Sequence, residues 1–407
     1  MLATLIPFFD KEMKVCAYSL FSQKQNSLLN PGAQGYGRND GAGRVNGLEL
    51  IESMGIDTLS PDTDVFVPIG NIAVFSDIEA QCKVPHSRLV LLFDNSIEIN
   101  EVYINRIGEL KRAGYKLAAR KIAVSEYEAR RDFLKLMDYI ILDCKKIDVT
   151  KAKLYFKQVY PNIRICVGNI ESQEEFEQYK DDDSFQMFEG AFYRIPVTKG
   201  ETKVAPLKAN YLELLNMVNS EDFELTRAAD IIGRDTALVL GLLKMVNRMS
   251  VNSGITTIRH AAAMLGQKEL KKWINTAVTK ELCSDKPSEV TRLSLLRAKF
   301  AEELAPLFGL SVKAPELFLM GLFSVLDLIL NQPMKDALAK INVSKEISDA
   351  LVSKQGELAP TLDFMLQYES ANWQEVSRQM ILANLDMGAV YDAYIKSICW
   401  YKDIFFS

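Results

Sequence analysis

A change of rhythm near residue 197 limits the folds open to this chain more than any other feature. Up to that point short β-branched runs alternate with amphipathic stretches, and beyond Lys199-Gly200 the strand signal stops. Val65 to Val67, Leu89 to Phe93, Tyr115 to Ala118, Tyr139 to Leu142 and Ile163 to Val167 read as buried parallel strands. Glu101 to Ala113, Val124 to Met137, Val149 to Val159 and Ser172 to Tyr179 read as the helices between them. Such βα units build a doubly wound sheet or a closed (β/α) barrel, and nearly continuous alternation over about 200 residues favours the barrel. The N-terminus, Met1 to Phe9, reads as a first strand, because it lacks the basic region and small-residue cleavage site of a signal peptide.

From Leu207 onward apolar residues recur at helical spacing, as in Leu214, Leu215, Val218 and again Leu238, Leu242, Met245, Val246. The expected division is an α/β domain over 1–197, a polar linker over 198–206 and an all-helical domain over 207–407. Asn372 with Glu375 reads as a capping box opening a C-terminal helix.

Composition narrows the chemistry. The net charge is -5 with both signs mixed along the chain, which gives no basic stripe for nucleic acid. Six cysteines (Cys16, Cys82, Cys144, Cys166, Cys283, Cys399) form no CxxC pair and read as reduced core residues. His86 and His260 are the only histidines, so a His-rich metal site is excluded by counting; His86 reads as a loop residue and His260 as a surface or cap residue. The longest apolar stretch, Leu317 to Leu330, is interrupted by Asp327 and suits a buried helix rather than a bilayer span. The Gly-rich segment 31–47 matches no phosphate-binding spacing and reads as a surface insertion. Trp273, Trp373 and Trp400 read as packing residues, and Asp181 to Asp183 as a solvated turn.

Specific stretches then resemble a known family. Asn252 to Ala261, running on to Leu265-Gly266, and Gly321 to Asp327 resemble an HDOD domain. The order of elements in the first half, with Gly114 to Ala118 and Glu189 to Tyr193, resembles a cyclic di-GMP phosphodiesterase domain of the EAL type. Together they resemble the bacterial EAL–HDOD signalling proteins. The resemblance implies an EAL-like TIM-type barrel followed by an all-helical, HD-related domain.

Active EAL domains hydrolyse a phosphodiester with two divalent cations, which need hard oxygen ligands at the C-terminal ends of barrel strands. By the resemblance those positions fall on the wrong residue types here. The signature Glu falls at Ser19, the phosphate-gripping Arg near Gln23, and the ligand Asn near Pro68. A further ligand Glu falls at Leu92, the paired aspartates at Arg120-Lys121, and a Lys at Ile141. The late catalytic Glu falls at Gly168 and the substrate-facing Gln at Glu189, while Asp143 and Glu171 are kept. Two cations in place of two carboxylates repel a divalent ion by several kcal/mol each at about 4 Å, even at an effective dielectric of about 20. Arg120 and Lys121 are either a new anion-binding pair or neutralised by Asp143, Glu171 or solvent. In the HDOD half the His-Asp dyad of HD phosphohydrolases falls at Ser324-Val325.

The expectation is therefore a cytoplasmic regulator with no catalytic residues, no metal and no cofactor, working as a scaffold for an unidentified protein partner. A non-hydrolysing receptor for cyclic di-GMP or another anionic nucleotide is the alternative. A homodimer is open; nucleic-acid binding and membrane insertion are not expected.

Overall fold

The structure is a computed structural model that describes the chain except residues 27, 30–44, 61, 195–205, 221, 234, 250–254, 256 and 406–407. Most of the Gly-rich segment, the expected linker up to residue 205 and the Asn252-Ser253-Gly254 motif lie outside the described residues. By packing, the chain divides into two units. One takes Met1–Ile195, Pro306–Leu310 and Asp363–Ser407; the other takes Pro196–Ala305 and Ser311–Leu362. This differs from the boundary drawn from sequence, because the last helices group with the strands rather than with the helical half.

Eight strands close into a barrel in sequence order: β1 (Leu2–Phe9), β2 (Val15–Gln23), β3 (Asp64–Pro68), β4 (Leu89–Phe93), β5 (Lys116–Arg120), β6 (Tyr139–Asp143), β7 (Arg164–Ile170) and β8 (Phe185–Gly190). The fold class read from sequence, a (β/α) barrel with a helical half, is what the structure has. One strand departs from the parallel pattern. Asp10 Oδ1 accepts from the backbone N–H groups of Glu12 and Lys14, folding Asp10–Lys14 into a tight turn. A turn that short makes β1 antiparallel to β2, and β1 is antiparallel to β8 as well.

Side chains alternate between lumen and exterior along each strand. Phe8, Ala17, Phe66, Val90, Leu92, Ala118, Tyr139, Ile141, Cys166 and Met187 form one buried cluster. It draws alternate residues from all eight strands, so it is the filled lumen of the barrel. Two sequence expectations fail locally. Val124 to Met137 is broken into a 3-10 turn (Val124–Glu126) and a short helix (Arg131–Leu134). Between them Arg130 turns inward to donate to the carbonyls of Ile97 and Asn95 and to Glu126, which interrupts a continuous helix. Asn372 does precede the helix Trp373–Leu382, but its side chain makes no cap bond. It donates to Gln367 Oε1, and Glu375 is taken by Arg378 and Gln379.

The second unit is helical, built on Pro206–Val218, Leu225–Ile232, Thr236–Met249, Ile258–Leu282, Ser288–Leu304 and Ala314–Phe323. The last two cross tightly at Gly321, where an added Cβ would lie 2.3 Å from the Arg297 carbonyl oxygen. Ser294 Oγ donates to the Leu322 carbonyl beside it. Among the described residues no helix is long and apolar enough to cross a membrane.

Candidate functional site

Strand direction and alternation bring the sequence-singled residues to one place. Ser19 continues the lumen-facing series from Ala17, Pro68 from Phe66, Arg120 from Ala118, Asp143 from Ile141, Gly168 from Cys166 and Glu189 from Met187. Apart from β1, all strands run the same way, so these positions ring the C-terminal mouth of the barrel, where such folds carry their sites.

Arg120 is the centre of the arrangement. Its guanidinium lies 5.6 Å above the Phe21 ring, and its Nη2 is 3.8 Å from Glu189 Oε2. Glu189 is only 4% exposed, so the carboxylate has little water and depends on that charge. Arg120 Nε and Ser19 Oγ are buried with no hydrogen-bond partner. Lys121 follows with φ 57°, the left-handed region that an L side chain rarely adopts. Burial first, and the Arg120 charge second, hold its ammonium below the usual lysine value. A cleft of about 20 Å³ opens among Phe21, Pro68, Ile69, Leu92, Asp94, Arg120 and Lys121, space for a water or two.

The remaining positions are filled or engaged. Ile141 packs where an added Cβ on Gly168 would lie, 2.9 Å from that position, with Glu189 Oε2 at 3.3 Å. Leu92 is 2% exposed. Asp143 accepts from Asn169 Nδ2 at 3.1 Å and from the Lys145 backbone, with Lys146 at 3.8 Å. Lys145 pairs with Glu171 at 3.1 Å and with Glu175. The sequence left Asp143, Glu171 or solvent as neutralisers of Arg120; the ion-pair geometry instead sets Glu189 beside it, since both side chains point into the lumen. Gln23 Nε2 donates to Ser377 Oγ at 3.0 Å, on a C-terminal helix of the same unit. Among the described residues no group of three or more His, Cys, Asp or Glu side chains is placed to hold a metal ion.

Sequence reasoning passed over Phe21 and Asp94, two members of the cleft. The period-two series Ser19, Phe21, Gln23 and Leu92, Asp94 already carried that signal. Cys399 is exposed, and Cys16 and Cys144 are half-buried, so only Cys82, Cys166 and Cys283 are core residues as expected; all six are free thiols. His86 sits in a 3-10 turn, its Nδ1 in a hydrogen bond with the Ala113 carbonyl and its ring stacked on Tyr115. His260 is exposed in the first turn of Ile258–Leu282, where its backbone N–H donates to the capping Thr257. Trp273 and Trp400 are half-buried, and Trp373 packs edge-on against Tyr368.

In the helical unit Ser324 caps the C-terminus of Ala314–Phe323. Its Oγ donates to the Gly321 carbonyl at 2.6 Å and accepts from Arg297 Nη1 at 3.1 Å. Val325 is fully buried. Nearby, burial raises the Asp327 carboxyl above its usual range, opposed by the Leu328 N–H and the Arg297 charge.

Residues 204–358 match the HDOD domain family model. That span begins inside the expected linker and ends before the last three helices. Over its length the chain is 28% identical, across 408 residues, to the uncharacterized protein YuxH of Bacillus subtilis, covering 97% of this chain and 96% of that one. It is 26% identical over 326 residues to the cyclic di-GMP phosphodiesterase CdgJ of Vibrio cholerae, covering 79% of this chain and 75% of that one. Among solved structures it is similar to the EAL-like domain protein YdiV, with 14% identity, a TM-score of 0.34, and coverage of 46% of this chain and 89% of that one. A cyclic di-GMP-bound EAL protein from Vibrio cholerae gives 13% identity, a TM-score of 0.34, and coverage of 46% and 89%.

Proposed function

We propose that this chain is a non-hydrolysing relative of the cyclic di-GMP signalling proteins that acts by holding a protein partner. The observation that carries the reading is the Arg120–Glu189 pair at the barrel mouth. A fixed cation occupies the region where the resemblance expects two acidic ligands, and it is already balanced by a buried carboxylate. Ile141 seated against Gly168 and the apolar Leu92 and Pro68 support the same reading, as they offer no oxygen to a hard cation. On this reading Ser19, Gln23, Pro68, Leu92, Arg120, Lys121, Ile141, Gly168 and Glu189 are degenerate catalytic positions, and Ser324-Val325 is a degenerate dyad.

The relative CdgJ is named a phosphodiesterase, so hydrolysis is the rival to exclude. The test is turnover of cyclic di-GMP by the full chain with Mg²⁺ or Mn²⁺, run beside isothermal titration with the dinucleotide. The expected result is no turnover and no binding heat. Turnover at ordinary enzymatic rates overturns the proposal, and heat without turnover makes the chain a receptor. A cytoplasmic location belongs to the same reading and is checked by cell fractionation.

A further inference from the structure

The mouth of the barrel is not open all the way round. Because β1 is antiparallel, its start lies at the same end as the ends of β2 and β8, with Leu2 paired to Gln23. Five residues on or just beyond these three adjacent strands contact the segment that begins at Asp363, within the same packed unit. Arg194, just after β8, pairs with Glu369 at 2.7 Å. On β1 the Tyr368 hydroxyl accepts from the Ala3 N–H at 3.2 Å and donates to the Ala3 carbonyl at 3.0 Å, while Thr4 and Tyr394 share a hydrogen bond. At the end of β2, Gln23 donates to Ser377 Oγ, and Asn26 donates to the Ser377 carbonyl at 3.1 Å.

At the centre of this contact the groups are dry, while Gln23, Asn26 and Arg194 at its edge are half-buried. Tyr368 and Ser377 are 0% exposed and Thr4 is 1% exposed. They also complete the barrel. β1 pairs with β8 only at Phe8 and Phe9, so on that side the Ala3 peptide lacks a ladder partner and the Tyr368 hydroxyl serves instead. Gln23 stands one lumen-facing step above Phe21, which lines the cleft.

We infer that the C-terminal segment from Asp363 is an intrachain cover seated on the β8–β1–β2 arc of the barrel rim, so that a ligand or partner reaching the strand ends of that arc must first displace it. The inference rests on the packing alone and stands whether or not the chain proves to be a scaffold. The β2–β5 side keeps the small cleft. The covering helices lie beyond residue 358, where the HDOD match ends.

The test uses the full chain carrying Cys399→Ser, which removes the exposed thiol, with Gln23→Cys as the rim probe. A dye-sized maleimide is expected to label that thiol at least about tenfold more slowly than one introduced by Lys157→Cys at an exposed helix position. Equal rates overturn the inference. Hydrogen exchange on the otherwise unaltered chain gives the second reading. Tyr368→Phe is expected to speed exchange roughly fivefold in the Leu2–Phe9 peptide and in the Trp373–Leu382 peptide together. Rapid exchange in the C-terminal helices while β1 stays protected would show that no cover is seated.

Discussion

Truncating Arg120 to alanine tests the electrostatics of the mouth directly. At 3.8 Å and an effective dielectric of about 20, the attraction between Arg120 and Glu189 is about 4 kcal/mol. The Arg120 side chain is 21% exposed and its partner 6%, so solvent screening brings the useful part down to about 2 kcal/mol. The guanidinium over Phe21 adds about 1 kcal/mol. Against this, Arg120 Nε is buried without an acceptor, and removing it relieves about 1 kcal/mol. The net loss is near 2 kcal/mol, equivalent to about thirtyfold in a local opening equilibrium. Because the chain packs as two units, global melting does not isolate this term. The assay is hydrogen exchange of the β5 and β8 peptides in Arg120→Ala, Glu189→Gln and the double variant. Both strands should exchange about thirtyfold faster in Arg120→Ala, with a coupling near 2 kcal/mol in the cycle. Strictly additive effects, or exchange changed less than about threefold, would refute the claim that the cation stands in for lost ligands by pairing with Glu189.

Three further outcomes are expected. Gly168→Glu should destabilise the barrel by about 2 kcal/mol without restoring hydrolysis, since its Cβ meets Ile141 at 2.9 Å and its carboxylate adds charge beside Glu189; urea titration followed by β7 exchange and a phosphodiesterase assay check both halves. Gly321→Ala should cost about 3 kcal/mol or more, because backbone of Arg297 rather than a flexible side-chain end lies 2.3 Å away, and calorimetry of the full chain should show an early transition. Asp327→Asn should stabilise the helical unit at neutral pH. Burial raises the folded pKa above 3.8, so the aspartate's penalty begins as pH rises through that value and is complete above the raised folded pKa; the advantage of the asparagine should vanish below about pH 3.8, as read from paired melting curves across pH.

The strands were legible before any coordinates as short buried runs, while Leu92, Arg120, Ile141, Asp143 and Glu189 were singled out by the family resemblance; strand parity in the structure then sets them on the lumen side. Local pattern carries that information because residue direction in a strand depends only on parity. The broken helix after Val124 was not legible, since Arg130 bonds carbonyls more than thirty positions earlier. The direction of the first strand was not read from the sequence; the Asp10 turn sets it in the structure.

The amino-acid order alone dictated a barrel-forming half and a helical half, because periodicity and residue type are local properties. Which acid would face Arg120, and which helices would close the β8–β1–β2 rim, depended on contacts spanning up to 390 positions. Such pairings are set by barrel closure and by unsatisfied backbone groups at its edge, and neither exists until the strands have assembled.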